Sequence, residues 1–224
     1  MTIRSLAAIS FLLLLGWALT GQRDPAEAVE IGKANADRLP GGKEADGIAG
    51  DFILRNSRIH ALISGDQPLR RANMSSEYGY VLQGVLYDLD LRGASNDQLT
   101  AFRPAGEGGE LSYVRVAAPG VIEAVRTAAK GNGLATRHEY RLETDWQHIQ
   151  ITSTLRNESR ELKKIKPPPV WKAFSAEWET GGVHVGDSID PFDKRAYAFA
   201  ALPGSAPLDK EAELKPGEEK VYRV

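Results

Sequence analysis

Leu134-Ala-Thr-Arg-His-Glu-Tyr-Arg-Leu-Glu-Thr144 and, across Asp145-Trp146, Gln147-His-Ile-Gln-Ile-Thr-Ser-Thr-Leu-Arg156 decide the fold of this chain. In the first stretch Leu134, Thr136, His138, Tyr140 and Leu142 share one face, and Arg137, Glu139, Arg141 and Glu143 share the other. That is the period-two alternation of a strand with one side in water. In the second, Ile149, Ile151, Ser153 and Leu155 oppose His148, Gln150, Thr152 and Thr154. Gly131-Asn-Gly133 supplies a turn before the pair and Asn157-Glu-Ser159 one after it. Strands over 110–117 and 121–129, broken at Pro119-Gly120, lead into it. Residues 121–156 therefore predict an antiparallel meander with a charged face toward solvent.

Working outward, residues 51–55 and 58–64 are apolar runs separated by Asn56-Ser57, read as a two-residue hairpin turn. Over 84–91, Val85, Tyr87, Leu89 and Leu91 fall on one side and Asp88 and Asp90 on the other, as on a solvated edge. Residues 195–202 predict a strand, and 211–214 and 220–224 flank a Lys215-Pro-Gly-Glu218 turn. Between 160 and 188 the chain reads as irregular, with Lys163, Lys164 and Lys166 ahead of Pro167-Pro-Pro169. The expected fold is all-β: an antiparallel β-sandwich with few or no helices apart from an N-terminal signal helix.

That helix is read from Arg4 followed by an apolar run over 6–19. Such a charged n-region and short h-region is the pattern of a secretory signal peptide. At roughly 1.5 Å per residue, fourteen helical residues reach about 21 Å, short of the about 30 Å of a bilayer core. The expected leader is residues 1–21, extending to 28 if the Ala26-Glu-Ala28 triplet is the cleavage site. Residues 22–50, with Pro40-Gly-Gly42, read as a flexible linker, and 51–224 as the β-sandwich domain. A chain ending on the apolar strand residue Val224 reads as the front of a longer polypeptide. The expected location is exported, in the periplasm or cell envelope, with the membrane met only through the export signal.

The sequence holds no cysteine, so in an oxidising compartment no disulfide holds the fold and a hydrophobic core must do so. Zinc ribbons, iron–sulfur centres and thiol nucleophiles are excluded. A net charge of -2 gives no electrostatic reason to expect nucleic acid. The four histidines, 60, 138, 148 and 184, stand at no metal-ligand spacing, so no metal or other cofactor is expected.

One constellation has the composition of a site: Gly182-Val-His-Val-Gly-Asp-Ser-Ile-Asp190. Its candidate catalytic residues are His184, Asp187 and Asp190, since histidine with a carboxylate is the minimum set for general acid–base work. The competing reading is a loop whose aspartates make turns with their own backbone. Trp171 and Trp178 are candidate ligand-binding residues, because pyranose faces stack on aromatic rings.

The segment Thr136 to Ser159, closing on Arg156-Asn-Glu-Ser159, resembles the central β-sandwich of galactose-mutarotase-like proteins. The Leu214-Lys-Pro-Gly-Glu218 turn before Val221-Tyr-Arg-Val224 looks like the one preceding the last strand of such modules. Gly50-Asp-Phe-Ile-Leu-Arg-Asn-Ser-Arg-Ile-His-Ala-Leu-Ile63 is similar to the first hairpin of modules ahead of metallohydrolase or carboxypeptidase-regulatory-like domains in large bacterial envelope proteins. The resemblance implies a supersandwich and a carbohydrate-linked context. The family's histidine pair and glutamate base align with no positions here, which favours a non-catalytic module. Its expected partners are a glycan or a downstream domain of the same polypeptide. The alternative is a carbohydrate-active enzyme, an epimerase or lyase relative, built on His184 and its neighbouring carboxylates.

Overall fold

The computed structural model describes residues 24–42, 47–68, 70, 83–94, 99, 101–106, 108–172, 174–188 and 195–224; the expected leader, 1–21, lies outside them. In chain order the strands are β1 (Glu27–Glu30), β2 (Phe52–Arg55), β3 (Ile59–Ile63), β4 (Leu86–Leu91), β5 (Ala101–Arg103), β6 (Tyr113–Ala118), β7 (Val121–Arg126) and β8 (Leu134–Arg141). They continue as β9 (Gln150–Asn157), β10 (Lys163–Ile165), β11 (Val170–Lys172), β12 (Phe174–Thr180), β13 (Val183–Ser188), β14 (Ala196–Ala200), β15 (Ala212–Leu214) and β16 (Glu219–Arg223). The one helical element among the described residues is a 3-10 turn, Lys33–Arg38, and none is long and apolar enough to cross a membrane. The fold is all-β, as the alternation predicts.

Two antiparallel sheets form the sandwich: β1-β2-β3-β4-β5-β11, and β16-β9-β8-β7-β6. Phe52, Leu54, Ala61, Ile63 and Leu86 of the first meet Ile122, Ala124, Tyr140 and Ile151 of the second in the main core. The Tyr140 hydroxyl crosses the core to the Gly84 carbonyl at 2.6 Å. The meander runs antiparallel as expected, in a register that sets Tyr140 opposite Ile122 and Ile151. On its outer face Glu123 lies beneath Arg115, at 2.7 Å, and Arg137, and the ion pairs continue through Glu139 and Arg141 to Glu143. Cross-strand pairs of opposite charge are how a half-wet sheet settles its polar side.

Part of the segment expected to be a linker is instead built into the first sheet. Over β1, Ala28 pairs with Leu54 and Val29 with Ile53, and Ile31 just beyond is 1% exposed. The Glu27 carboxylate bridges Arg55 and Arg38, the latter at 2.8 Å. Burial alone would raise the Glu27 carboxyl, but the two guanidiniums outweigh it and hold it below the usual range. The Ala26-Glu27-Ala28 triplet thus lies at and within an edge strand, and Glu-Ala-Val-Glu is too short and too charged for its alternation to show in the sequence.

Two local corrections follow from hydrogen bonds. Asn56 precedes the hairpin turn, whose central residues are Ser57 and Arg58: its N–H donates to the Ile59 carbonyl at 3.1 Å, and its Oδ1 accepts from Arg58 N–H and Ile59 N–H. The Asn56 amide also donates to the carbonyls of Glu143 and Trp146, tying the two sheets together at one end. In β4 the register slips between Leu62 and Ile63, a bulge at Tyr87. A bulged residue reverses the alternation beyond it. Val85 and Tyr87 consequently join a second apolar cluster on the outer side with Ile31, Ile53 and Leu62, while Leu86 and Leu89 serve the main core.

A closed polar knot fastens that outer layer. Asp51, fully buried, accepts from Arg70 Nη2 at 2.8 Å, the Tyr87 hydroxyl at 2.8 Å and the N–H groups of Ile48 and Gly65 at 3.0 Å. Burial first, and then the Asp51 charge, push the Tyr87 hydroxyl far above its ordinary titration range. A buried charge is tolerated only with such a full set of partners.

Candidate functional site

The stretch expected to be a ligand loop is a β-hairpin. Gly181 and Gly182 are its two central residues, with φ of +58° and +79°, between Thr180 and Val183. Two consecutive residues with positive φ match a type I′ turn, which suits the twist of paired strands. With β14 the hairpin makes a separate three-stranded sheet, β12-β13-β14. His184 stands in the row Glu179–His184–Phe199, its ring stacked on Phe199 at 4.5 Å and 11°. Its Nδ1 lies 3.9 Å from Glu179 Oε2, beyond hydrogen-bond reach.

Asp187 stands in the row Ala176–Asp187–Ala196. Three positions apart on a strand, His184 and Asp187 point to opposite faces of the sheet. Asp190 lies outside the described residues. The structure does not bring His184 and Asp187 together.

The two tryptophans also part company. Trp171 pairs with Phe102 and packs edge-on against Phe102 and Phe199, at 6.3 and 4.9 Å, beside the main core. Trp178 lies in the row Trp178–Val185–Ala198, on the face opposite His184 and Phe199, and is 48% exposed. Its neighbours on that face, Ala176, Thr180, Ala196 and Ala198, are exposed and mostly small, so the indole stands on a flat surface.

Two polar groupings escape a reading by sequence spacing. The first is on the outer face of the six-stranded sheet, where Asp88 and Asp90 are buried rather than solvated, 2% and 6% exposed. The row Glu27–Arg55–His60–Asp90 crosses four strands. His60 Nε2 lies 4.0 Å from Asp88 Oδ1, and Arg195 Nη2 lies 3.8 Å from Asp90 Oδ1. Burial holds the His60 ring below its ordinary pKa, opposed by Asp90 and helped by Arg92 and Arg55. At one end of the row a cleft of about 310 Å³ is lined by Asp24, Glu27, Arg55, Asn56 and Arg92. Among the described residues no three histidine, aspartate or glutamate side chains gather as metal ligands.

The second grouping is at the polar end of the sandwich interior. Arg126, Thr136, His138 and Ser153 occupy inward positions of β7, β8 and β9, and His138 Nδ1 lies 2.9 Å from Ser153 Oγ. Burial first, and then the Arg126 charge, push the His138 ring down to about 4, so it is neutral near pH 7. Arg103, from β5 of the other sheet, lines the same small cavity. The sequence signal was present: a row of inward polar residues in strands that are otherwise apolar inside.

Compared with known proteins, the chain matches no family model, no curated protein and no solved structure.

Proposed function

We propose that the chain is a non-catalytic β-sandwich module of an exported envelope protein, which binds carbohydrate through the exposed face of its three-stranded sheet. The observation that carries this reading is Trp178, 48% exposed and standing in a row with Val185 and Ala198. An indole held on a rigid sheet offers a pyranose ring an apolar face at small entropic cost. The export part rests on the N-terminal leader sequence, and the carbohydrate part also on the likeness to galactose-mutarotase-like modules. The separation of His184 and Asp187 onto opposite faces weighs against a carbohydrate-active enzyme at that position.

The test is glycan binding by the whole chain, Trp178→Ala and Trp171→Phe, on an array followed by calorimetry. Trp178→Ala is expected to weaken binding at least tenfold while Trp171→Phe, beside the core, binds as the parent does. Equal binding by parent and Trp178→Ala, or none by the parent, overturns the reading.

A further inference from the structure

The sheet that carries Trp178 has a charge pattern that stacking of a sugar ring does not use. Its strands β12, β13 and β14 hold Glu177, Glu179 and Asp187 and neither lysine nor arginine. The face bearing Trp178 is built from the rows Thr180–Val183–Ala200, Trp178–Val185–Ala198 and Ala176–Asp187–Ala196. Glu177, Glu179 and His184 belong to the alternate rows and turn to the other face. Asp187 is therefore the one charged residue of those three rows. It is half-exposed, and among the described residues its carboxylate has neither an ion pair nor a hydrogen bond.

Val185 and Asp187 stand two positions apart on one strand, so Asp187 is the diagonal neighbour of Trp178, at about 7–8 Å between Cα atoms. Ala176 and Ala198, which border the pair, have no side chain long enough to cover either group. An indole face carries the negative side of the ring quadrupole and attracts cations, and a carboxylate beside it adds a full negative charge. A sugar ring laid on the indole brings its edge substituents toward Asp187, so an ammonium there meets both groups at once. A uronate or sulfate ester would instead meet the three carboxylates of a sheet whose strands offer no cation in return. We infer that the carbohydrate taken by this face is an amino sugar in its free-amine form, and that Asp187 selects it. This selection rests on carbohydrate binding at Trp178 and adds to it the class of sugar.

The test is calorimetry of the whole chain with chito-oligosaccharides of one length, fully deacetylated against fully N-acetylated, in mildly acidic buffer where the free amine is protonated. The two ligands share ring and linkage and differ in the charge on the amino group. The parent is expected to bind the deacetylated oligomer about three- to tenfold more tightly, as an exposed ion pair and a cation over an indole together allow. Added salt should shrink that ratio. Asp187→Asn should remove the preference and leave the affinity for the acetylated oligomer as in the parent, while Trp178→Ala should weaken binding of the deacetylated one. Equal affinities in the parent, or a preference that survives Asp187→Asn, overturn the selection by Asp187 and leave carbohydrate binding at Trp178 standing. Binding of neither oligomer also overturns it, and a neutral glycan retained on the array through Trp178 then keeps the broader reading.

Discussion

The five-stranded and three-stranded sheets obey the same period-two geometry, but they bury very different amounts. In the first, Ile122, Tyr140 and Leu155 are 0% exposed while Arg115, Arg137 and Arg141 stand in water. In the second, Tyr197 and Phe199 lean on the main core half-buried, and the other face carries Trp178 in the open. Alternation marks a strand in the sequence only when its two faces meet different surroundings. β8 alternates apolar with charged; β13, Val-His-Val-Gly-Asp-Ser, sends its valines outward and its histidine toward the core.

The largest effect that separates the two sheets is expected from truncating one aromatic in each. Tyr140→Ala removes a fully buried ring and its hydrogen bond to Gly84, and should cost about 3–5 kcal/mol. That is a large share of the 5–15 kcal/mol typical of a folded domain. Trp178→Ala should cost less than about 1 kcal/mol, since nearly half of its surface is already wet. Urea unfolding followed by far-ultraviolet circular dichroism measures both. Equal losses would mean that the three-stranded sheet shares the core's stability and the contrast is false.

The next effect belongs chiefly to the five-stranded sheet. His138 has a folded pKa of about 4, below the ordinary 6.5. Between those values the unfolded chain binds the proton and the folded one does not, so stability rises with pH there. It is complete above about pH 6.5 and is lost as pH falls toward 4. From pH 7 to pH 5 the expected loss is about 2 kcal/mol at 1.36 kcal/mol per unit. His60, also shifted down by burial, adds in the same direction. His138→Gln should remove most of the slope; a slope unchanged in that variant would mean that His138 is not the group responsible.

These contrasts also separate what was legible in the sequence from what was not. The meander, the Pro119-Gly120 break and the closing Pro216-Gly217 turn could be read because local pattern and burial agree. β1 could not, because a four-residue edge strand with glutamate at both ends has no contrast to show. The bulge at Tyr87 depends on how β4 meets β3; it turns Asp88 and Asp90 to the outer face of the sheet, where both are buried. Gly181-Gly182 carried a readable signal that admitted two meanings: room for a ligand, or positive φ for a tight turn. Once the turn is chosen, the three-residue spacing of His184 and Asp187 already separates them. Arg126 and His138 were visible as inward polar positions, whereas Arg103 joins them only through the pairing of two sheets.

A smaller effect tests that turn. Gly182 has φ of +79° and open space around its Cβ position, so Gly182→Ala should cost only the conformational penalty, about 1 kcal/mol. Native-state hydrogen exchange should show faster opening of β12 and β13, with β7 to β9 unaffected. Faster exchange across the meander as well would join the two sheets into one cooperative unit.

The smallest expected effect bears most directly on function. If His184 and Asp187 formed an acid–base pair, replacing both would differ from the sum of the single replacements by about 0.5–3 kcal/mol, the range for groups in contact. Their rows lie on opposite faces of β13, with the strand backbone between the two side chains. A double-mutant cycle of His184→Ala and Asp187→Ala, read by urea unfolding, should therefore close to within about 0.3–0.5 kcal/mol. His184→Ala alone loses the stacking on Phe199, and Asp187→Ala alone loses a half-exposed surface charge. A coupling above 1 kcal/mol would place the two side chains in one network and restore the catalytic reading of the hairpin. Additivity leaves Trp178, on the face that Asp187 shares, as the feature of this sheet on which the proposed carbohydrate binding rests.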